Sequence, residues 1–129
     1  MNKKVEVELQ AVEIPVHLDG EGGYHGNGKI WNNSTLYDAA KGLKSFDLPL
    51  CALELNFNPW SMNSLKYIAY HIKRIENADL SYPVIQNPDG VIIDGWHRVM
   101  KAILNGDLTI KAVRLNVMPE HDDIINEDD

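Results

Sequence analysis

The sequence predicts an α/β protein of the α+β type, and three segments carry this prediction. Residues 64–75 place their apolar side chains along one stripe of a helix. Residues 83–93 predict two short strands that are joined by a turn containing Pro88 and Gly90. Residues 91–100 run as an apolar strand that breaks at Gly95 and continues as a helix.

Length and composition favour a single domain. The 129 residues are enough to bury roughly two-thirds of the unfolded surface, and an apolar content of 44% is too high for a chain disordered throughout. Cys51 is the only cysteine, which excludes an internal disulfide, and its apolar neighbours predict a buried, inert thiol. The first residues lack the apolar core of a signal peptide and no apolar run reaches membrane length. We therefore expect a cytoplasmic protein without a membrane partner.

The negative charge is concentrated at the end of the sequence. The net charge is −7, but the last ten residues hold six acids and no Lys or Arg, which leaves 13 acids against 12 bases elsewhere. The sequence therefore predicts a domain over residues 1–119 and a disordered acidic tail over residues 120–129. A regulatory arm that folds onto a basic site is the alternative for this tail. Residues 95–114 carry four bases and one acid, so this stretch is locally basic.

The first half of the sequence predicts strands, a loop and a short helix. Apolar and polar residues alternate over residues 5–9 and 12–16, which indicates one bent strand or two short ones. Residues 17–28 hold five glycines and predict a surface loop, with a lid, a partner contact or a metal site as alternatives. Apolar spacing predicts a helix over residues 35–43, and alternation predicts a half-buried strand over residues 53–57.

The helix predicted over residues 64–75 has a polar face opposite its apolar stripe. Such a face is more often solvated than functional, and it matters only if the fold turns it towards Gly95. The helix after Gly95 is expected to end at Asn105-Gly106, and residues 109–117 predict a closing strand. The polar face of the first helix carries Lys66, Tyr70, His71, Lys73 and Arg74.

The break at Gly95 combines the features of an anion-binding site. The first N–H groups of a helix have no intrahelical partner and carry partial positive charge, and a glycine lets an anion approach them closely. His97 and Arg98 add side-chain donors, and Asp94 is a candidate metal ligand, proton acceptor or turn-former. The alternative is purely structural: Asp94 caps the helix, Trp96 packs, and His97 and Arg98 lie on the surface.

A resemblance to the ParB/sulfiredoxin superfamily follows from the order of helix, Pro-Val-Ile hairpin, Asp94-Gly95-Trp96-His97-Arg98, helix and closing strand. In that superfamily a related motif opens a helix beneath the phosphates of a nucleotide. The resemblance covers about residues 50–117 and leaves residues 1–49 as an N-terminal extension. It implies a small mixed sheet packed with helices, and a site where the motif helix meets the preceding helix and the end of the early strand.

The resemblance also implies roles for individual residues. Gly95, His97 and Arg98 match phosphate-binding positions of the superfamily. Asp94 matches an aspartate that its free serine kinases use near metal and substrate. On the preceding helix, where sulfiredoxins contact the nucleotide, the matching positions are His71 and Arg74.

Three departures from the superfamily narrow the chemistry. Trp96 stands where a sulfiredoxin has its cysteine, so reduction of a sulfinic acid is excluded. Residues 58–61 hold no acid where the serine kinases place a catalytic glutamate, which argues against their reaction. The helix-turn-helix region of partition proteins has no counterpart in these 129 residues.

The first hypothesis of function is nucleotide binding. ATP or CTP phosphates would lie against the turn, and Mg²⁺ would bridge them to Asp94. Nucleotide hydrolysis or phosphoryl transfer would use Asp94, His97 and a base, for which Glu54 and His71 are candidates. The residues expected around the nucleotide are Gly95, Trp96, His97, Arg98, His71 and Arg74.

The second hypothesis is a non-catalytic module that binds a protein or a nucleic acid. Its contacts would come from residues 19–28 and from the side chains of Trp31, Trp60 and Trp96. A metal-dependent nuclease is a weaker alternative, and a complex driven by phosphate contacts would weaken steeply with salt. The sequence predicts no oligomeric state.

Overall fold

The computed structural model describes residues 8–15 and 22–125. In this part of the chain, three helices and seven strands form a small α+β fold, as the sequence predicts. A short 3₁₀ turn at Leu50–Ala52 lies between β3 and α2. The elements in order are β1 Gly23–Gly26, β2 Lys29–Asn32, α1 Asn33–Ala40, β3 Phe46–Pro49, α2 Leu65–Asn77, β4 Val84–Gln86, β5 Ile92–Asp94, α3 Trp96–Leu104, β6 Thr109–Arg114 and β7 Asp123–Ile124.

The main sheet is small and mixed, with the strand order β3-β6-β4-β5. β6 pairs antiparallel with β3 and parallel with β4, while β4 and β5 form the predicted antiparallel hairpin. The hairpin turn is held by Asn87, whose Oδ1 accepts the N–H groups of Asp89 and Val91 at 3.0 and 2.9 Å. Gly90 follows with a φ of 88°, the positive value that glycine adopts without strain.

Two apolar clusters cover the two faces of this sheet. Because successive strand residues point to opposite faces, Val84 and Ile92 join one cluster while Ile85 and Ile93 join the other. α3 packs into the first cluster through Val99 and Ala102. α1 and β2 supply the second cluster with their most buried side chains, Leu36 and Trp31.

The predicted N-terminal extension is therefore part of the fold from residue 22 onward. β3 forms one edge of the main sheet, and Leu36 of α1 is completely buried. The prediction of a loop over residues 17–28 is wrong for residues 23–28, because β1 and β2 pair there as an antiparallel hairpin. Asn27 and Gly28 both take positive φ, as a tight hairpin turn requires. Residues 16–21 lie outside the described part of the chain.

The acidic segment is ordered further than predicted. β7 pairs with β2, and both oxygens of the Asp122 carboxylate accept hydrogen bonds, from the N–H of Asn32 at 2.8 Å and from the hydroxyl of Thr35 at 3.0 Å. These bonds place a carboxylate at the start of α1, where the helix dipole favours negative charge. The prediction of disorder is therefore wrong for residues 120–125, and residues 126–129 lie outside the described part.

Other boundaries also differ from the sequence prediction. The strand predicted over residues 53–57 is absent, and the neighbouring strand is β3, which pairs with β6. Phe57 lies outside the strands of the described chain, and its side chain is 48% exposed. The 3₁₀ turn buries Leu50 and leaves Cys51 exposed, so the prediction of a buried thiol is wrong. Residues 8–15 contain no strand, and the rest of the two N-terminal strand segments lies outside the description.

The helices that flank the motif agree well with the sequence prediction. α2 begins after Ser64, whose Oγ accepts the N–H of Tyr67 at 3.1 Å, so the serine is the helix cap. The face of α2 that the sequence predicts as polar is not fully exposed to solvent, because Tyr70 and His71 on this face are both buried. α3 ends at Leu104 with Asn105 as its C-cap, and Gly106 follows with positive φ, which agrees with the predicted stop at Asn105-Gly106. No helix in residues 8–15 and 22–125 is long and apolar enough to cross a membrane.

Candidate functional site

The turn between β5 and α3 has a shape that only glycine fits. Gly95 has a φ of 111°, and a Cβ atom built on it would lie 2.6 Å from Cγ1 of Val84. Gly95 therefore lets the turn pack closely against β4. The carbonyl of Gly95 accepts the N–H of Val99 at 3.0 Å, the first helical bond of α3. The N–H groups of residues 96–98 precede this bond and lie outside the helical ladder.

A cleft of about 970 Å³ opens beside this turn. Its size suits a nucleotide-sized ligand, because small-molecule sites typically measure about 300 to 1,000 Å³. Its other walls come from α1, the second half of α2, the connection to β4, Ile85 of β4 and residues 14–15. Five residues predicted from the sequence line it, namely Asp94, Gly95, His97, Arg98 and Arg74.

Three other predicted site residues lie elsewhere. Glu54 is exposed, outside the residues that line the cleft, and its Oε1 accepts the N–H of Asn56 at 2.6 Å, so it shapes its own loop. Trp96 packs against the core beneath α3 and meets the ring of Phe57 edge-on, with centroids 4.9 Å apart. His71 is 1% exposed and lies behind His97. The predictions that place the side chains of Glu54, Trp96 and His71 in contact with a ligand are corrected accordingly, while the N–H of Trp96 stays at the opening turn of α3.

His71 and His97 form a hydrogen-bonded pair. Nδ1 of His71 lies 2.9 Å from Nε2 of His97, so one of these nitrogens carries the proton and the other accepts it. The indole of Trp60 stacks on both rings, with centroids 4.8 Å from His71 and 4.4 Å from His97. This stack fixes the orientation of His97 towards the cleft.

The surroundings of His97 keep its ring neutral. Burial, followed by the positive charge of Arg74 and the proximity of His71, lowers the pKa of His97 from 6.5 to about 4. At neutral pH His97 therefore offers a bound anion a hydrogen bond rather than a positive charge. A further positive charge beside Arg74 and Arg98 is thereby avoided.

Arg98 is held by the protein itself. Its Nη1 donates to the carbonyls of Tyr82 and Pro83 at 3.0 and 2.7 Å, and its Nη2 donates to Oδ2 of Asp94 at 2.7 Å. These bonds occupy three of the five N–H donors of a guanidinium. Arg98 therefore connects the segment before β4 to the start of α3. Only its two remaining N–H donors could bind a ligand.

The carboxylate of Asp94 is held in place by hydrogen bonds from Arg98 and Tyr37. Its side chain is 12% exposed, and burial raises its pKa, while the charge and hydrogen bond of Arg98 and the hydroxyl of Tyr37 oppose that rise. The alternative role as helix cap is not observed, since no side chain caps α3. Asp94 instead pairs with Arg98 one turn into the helix.

The residues around Asp94 do not fit a Mg²⁺ ion held by protein ligands alone. Arg98 competes with a cation for Oδ2 of Asp94. In the described part of the chain, no three side chains of His, Cys, Asp or Glu converge as a metal site. Mg²⁺ usually binds one or two carboxylates together with phosphate oxygens, so a metal here would depend on the ligand for its coordination.

The charge of the cleft is opposite to that of the chain. Among the described residues that line it are four cationic side chains and two carboxylates, whereas the net charge of the sequence is −7. Arg74 lies 6.0 Å from the centroid of the Tyr70 ring, at a distance where a cation is attracted by the ring face. The cations are Lys41, Lys73, Arg74 and Arg98, and the carboxylates are Asp79 and Asp94.

Sequence reasoning missed several contributors to this cleft. Tyr37 bonds to Asp94 from α1, a helix that the resemblance assigned to the extension. Trp60 lies in a segment without helix or strand and stacks on two histidines that are distant in sequence. No local pattern marks such contacts. The second hypothesis also requires that Trp31, Trp60 and Trp96 be exposed, as expected from the sequence. This expectation is wrong, since Trp31 is 7% exposed and Trp60 and Trp96 are half-buried.

Comparison with known proteins does not identify a family or a function for this chain. The chain matches no model of a known protein family, no curated protein and no solved structure. The ParB/sulfiredoxin resemblance therefore stays a prediction that depends on the motif residues and on the order of the elements.

Proposed function

We propose that this chain binds a nucleoside polyphosphate, ATP or CTP, in the cleft beside Gly95. The proposal depends chiefly on one observation: the opening turn of α3 and the cations of α2 line the same cleft. Anionic phosphates are favoured at a helix N-terminus, where N–H groups and the helix dipole act together. Lys73 and Arg74 add the positive charge that phosphates require.

Each residue has a distinct part in the proposed complex. Gly95 allows close approach of a phosphate to the N–H groups of residues 96–98. Arg74 supplies charge, and His97 supplies a hydrogen bond or takes up a proton once an anion is near. Arg98 mainly holds the walls of the cleft in place. Mg²⁺ enters this proposal only as the counterion that a nucleotide carries on its phosphates.

The geometry supports binding better than catalysis. A general base works best when its pKa is near the operating pH, and the pKa of His97 is about 4. Glu54 lies outside the cleft, and Asp94 is paired with Arg98. We therefore propose a nucleotide-binding domain, with hydrolase or phosphotransferase activity as the weaker alternative.

Calorimetric titration with ATP and CTP, with and without Mg²⁺, tests the proposal. We expect binding by the unaltered chain and about tenfold weaker binding by Arg74→Ala, since a lost charged contact of about 1.4 kcal/mol corresponds to that factor. Lys66→Ala is the matched control, because Lys66 is an exposed cation of the same helix and does not line the cleft. Absence of heat with every nucleotide, or equal losses in both variants, would refute the proposal.

The same samples test the catalytic alternative. Release of inorganic phosphate from ATP or CTP is measured over hours at neutral pH. We expect no release above that of the Arg74→Ala variant. Release that depends on Arg74 would establish a hydrolase instead.

A further inference from the structure

Asp79 gives the cleft one carboxylate that Arg98 does not bind directly. It follows the end of α2, and its Oδ1 accepts both the N–H and the hydroxyl of Ser81, at 2.9 and 2.7 Å. Both bonds fall on one oxygen, so Oδ2 stays outside them. The bonds from Ser81 also lower the pKa of Asp79, which keeps the carboxylate charged at neutral pH.

The position of this carboxylate is fixed relative to the Gly95 turn. Tyr82 and Pro83 lie just after Asp79, and their carbonyls accept hydrogen bonds from Arg98 of α3. Lys101, one turn further along α3, donates to the carbonyls of Glu76 and Ala78 at 2.9 and 2.7 Å. The segment that carries Asp79 is therefore connected to α3 on both sides of that residue.

Without a bridging cation or a paired arginine, a charged carboxylate repels the phosphates of a bound nucleotide. It suits a part of the ligand that donates hydrogen bonds and carries no negative charge. Asn77 and Tyr82 are near Asp79 in sequence and line the same cleft, and their amide and phenol groups both donate and accept. A carboxylate that accepts hydrogen bonds from ribose hydroxyls is a known solution in nucleotide-binding proteins.

We propose that Asp79, with Asn77 and Tyr82, forms a ribose subsite that selects ribonucleotides over 2′-deoxyribonucleotides. This inference depends on the proposed function, because it assumes that the phosphates lie at the Gly95 turn. A hydroxyl that donates to a charged carboxylate adds a hydrogen bond that the deoxy ligand lacks. Because Asp79 is exposed, its carboxylate stays hydrated without that hydroxyl, so we expect a moderate rather than a strong preference.

The test compares each nucleotide with its 2′-deoxy form by calorimetry, using whichever of ATP and CTP binds more tightly. We expect the unaltered chain to bind the ribonucleotide about tenfold more tightly than the deoxy form. In Asp79→Ala we expect this ratio to fall to about one, while binding of the deoxy form stays equal or improves as repulsion is removed. Asp79→Asn, which keeps an acceptor for Ser81, controls for the loop and should show an intermediate ratio.

The outcomes separate this inference from the proposed function. Asp107→Asn, an exposed aspartate that does not line the cleft, should leave the ratio unchanged. Binding without a 2′-hydroxyl preference, or a preference that survives in Asp79→Ala, would overturn the ribose subsite alone. Asp79 could instead bind the exocyclic amine of the base. In that case the chain would prefer ATP over ITP, or CTP over UTP, this preference would depend on Asp79, and the ribose subsite would be overturned. No binding of any nucleotide would overturn both proposals.

Discussion

Arg74 and Arg98 line the same cleft but differ in what holds them. Arg98 donates to two backbone carbonyls and to Asp94, with its side chain 14% exposed. Arg74 lies over the Tyr70 ring, and no ion pair or hydrogen bond ties it to another residue of the described chain. The motif residue is thus largely a structural clamp, while the cation outside the motif is available to an anion.

The comparison shows that a charged residue within a recognised motif can have a structural role, while a charged residue outside the motif is free to bind a ligand. A guanidinium has five donors, and acceptors of the protein compete with the ligand for them. The competition is decided by the carbonyls of Tyr82 and Pro83, which no pattern in the sequence marks as partners of Arg98. We therefore expect the two arginines to respond differently when they are replaced.

The largest effect is expected for the stability of Arg98→Ala. This replacement leaves the largely buried carboxylate of Asp94 and two carbonyls without their donor, and breaking such a pair typically costs about 3 to 5 kcal/mol. Arg74→Ala should change the free energy of unfolding by less than about 1 kcal/mol. Urea denaturation of both variants measures the contrast. Equal stabilities of the two variants would show that Arg98 is not a structural clamp. As a control, the double variant Arg98→Ala, Asp94→Asn should regain part of the stability lost in Arg98→Ala, because it removes the unpaired carboxylate charge.

The next effect concerns the shape of the turn that Arg98 clamps. In Gly95→Ala, the positive φ and the contact with Val84 should together cost about 2 to 4 kcal/mol. Gly106→Ala is the control, because Gly106 also has positive φ but a Cβ atom built on it would meet no other atom within 4 Å. We expect it to cost only about 1 kcal/mol. Similar losses in thermal unfolding would mean that Val84 yields and the turn is not tightly packed.

A smaller effect is expected from the pH dependence of stability. The pKa of His97 falls from 6.5 to about 4 on folding, so between these values the unfolded chain binds a proton that the folded chain does not. This contribution is complete above pH 6.5 and is lost as the pH falls towards 4, by roughly 2 kcal/mol after allowance for solvent screening of the partly exposed ring. His97→Asn should flatten the slope of stability against pH, whereas replacement of the exposed His25 should not. An unchanged slope would contradict a neutral His97.

Much of this cleft could be predicted from the sequence, because its main elements have local signals. The apolar stripe of α2, the turn of the β4–β5 hairpin and the glycine before α3 are each visible within about a dozen residues. Arg74 is singled out only by the superfamily resemblance, which points to the polar face of the helix before the motif, whereas the three local features have a physical basis in the segment itself. These features depend on periodicity and turn chemistry, which are properties of short segments.

The remainder could not be predicted, because it depends on contacts between distant segments. The strand expected at residues 53–57 is replaced by β3, which is selected by pairing with β6. Asp122 binds the start of α1 and orders a tail whose composition alone predicts disorder. His71 lies on a face that the pattern predicts as polar, yet pairing with His97 and stacking by Trp60 bury it.

The most direct test of nucleotide binding at the Gly95 turn is a titration followed by ¹H–¹⁵N correlation spectra. ATP or CTP is added to the labelled chain, and the change in each amide signal is recorded. We expect the largest changes at the amides of residues 95–98, with a second group around residues 73–82 and little change in β1 and β2. Changes confined to the β1–β2 hairpin, or no saturable change at residues 95–98, would contradict binding of phosphates at this turn.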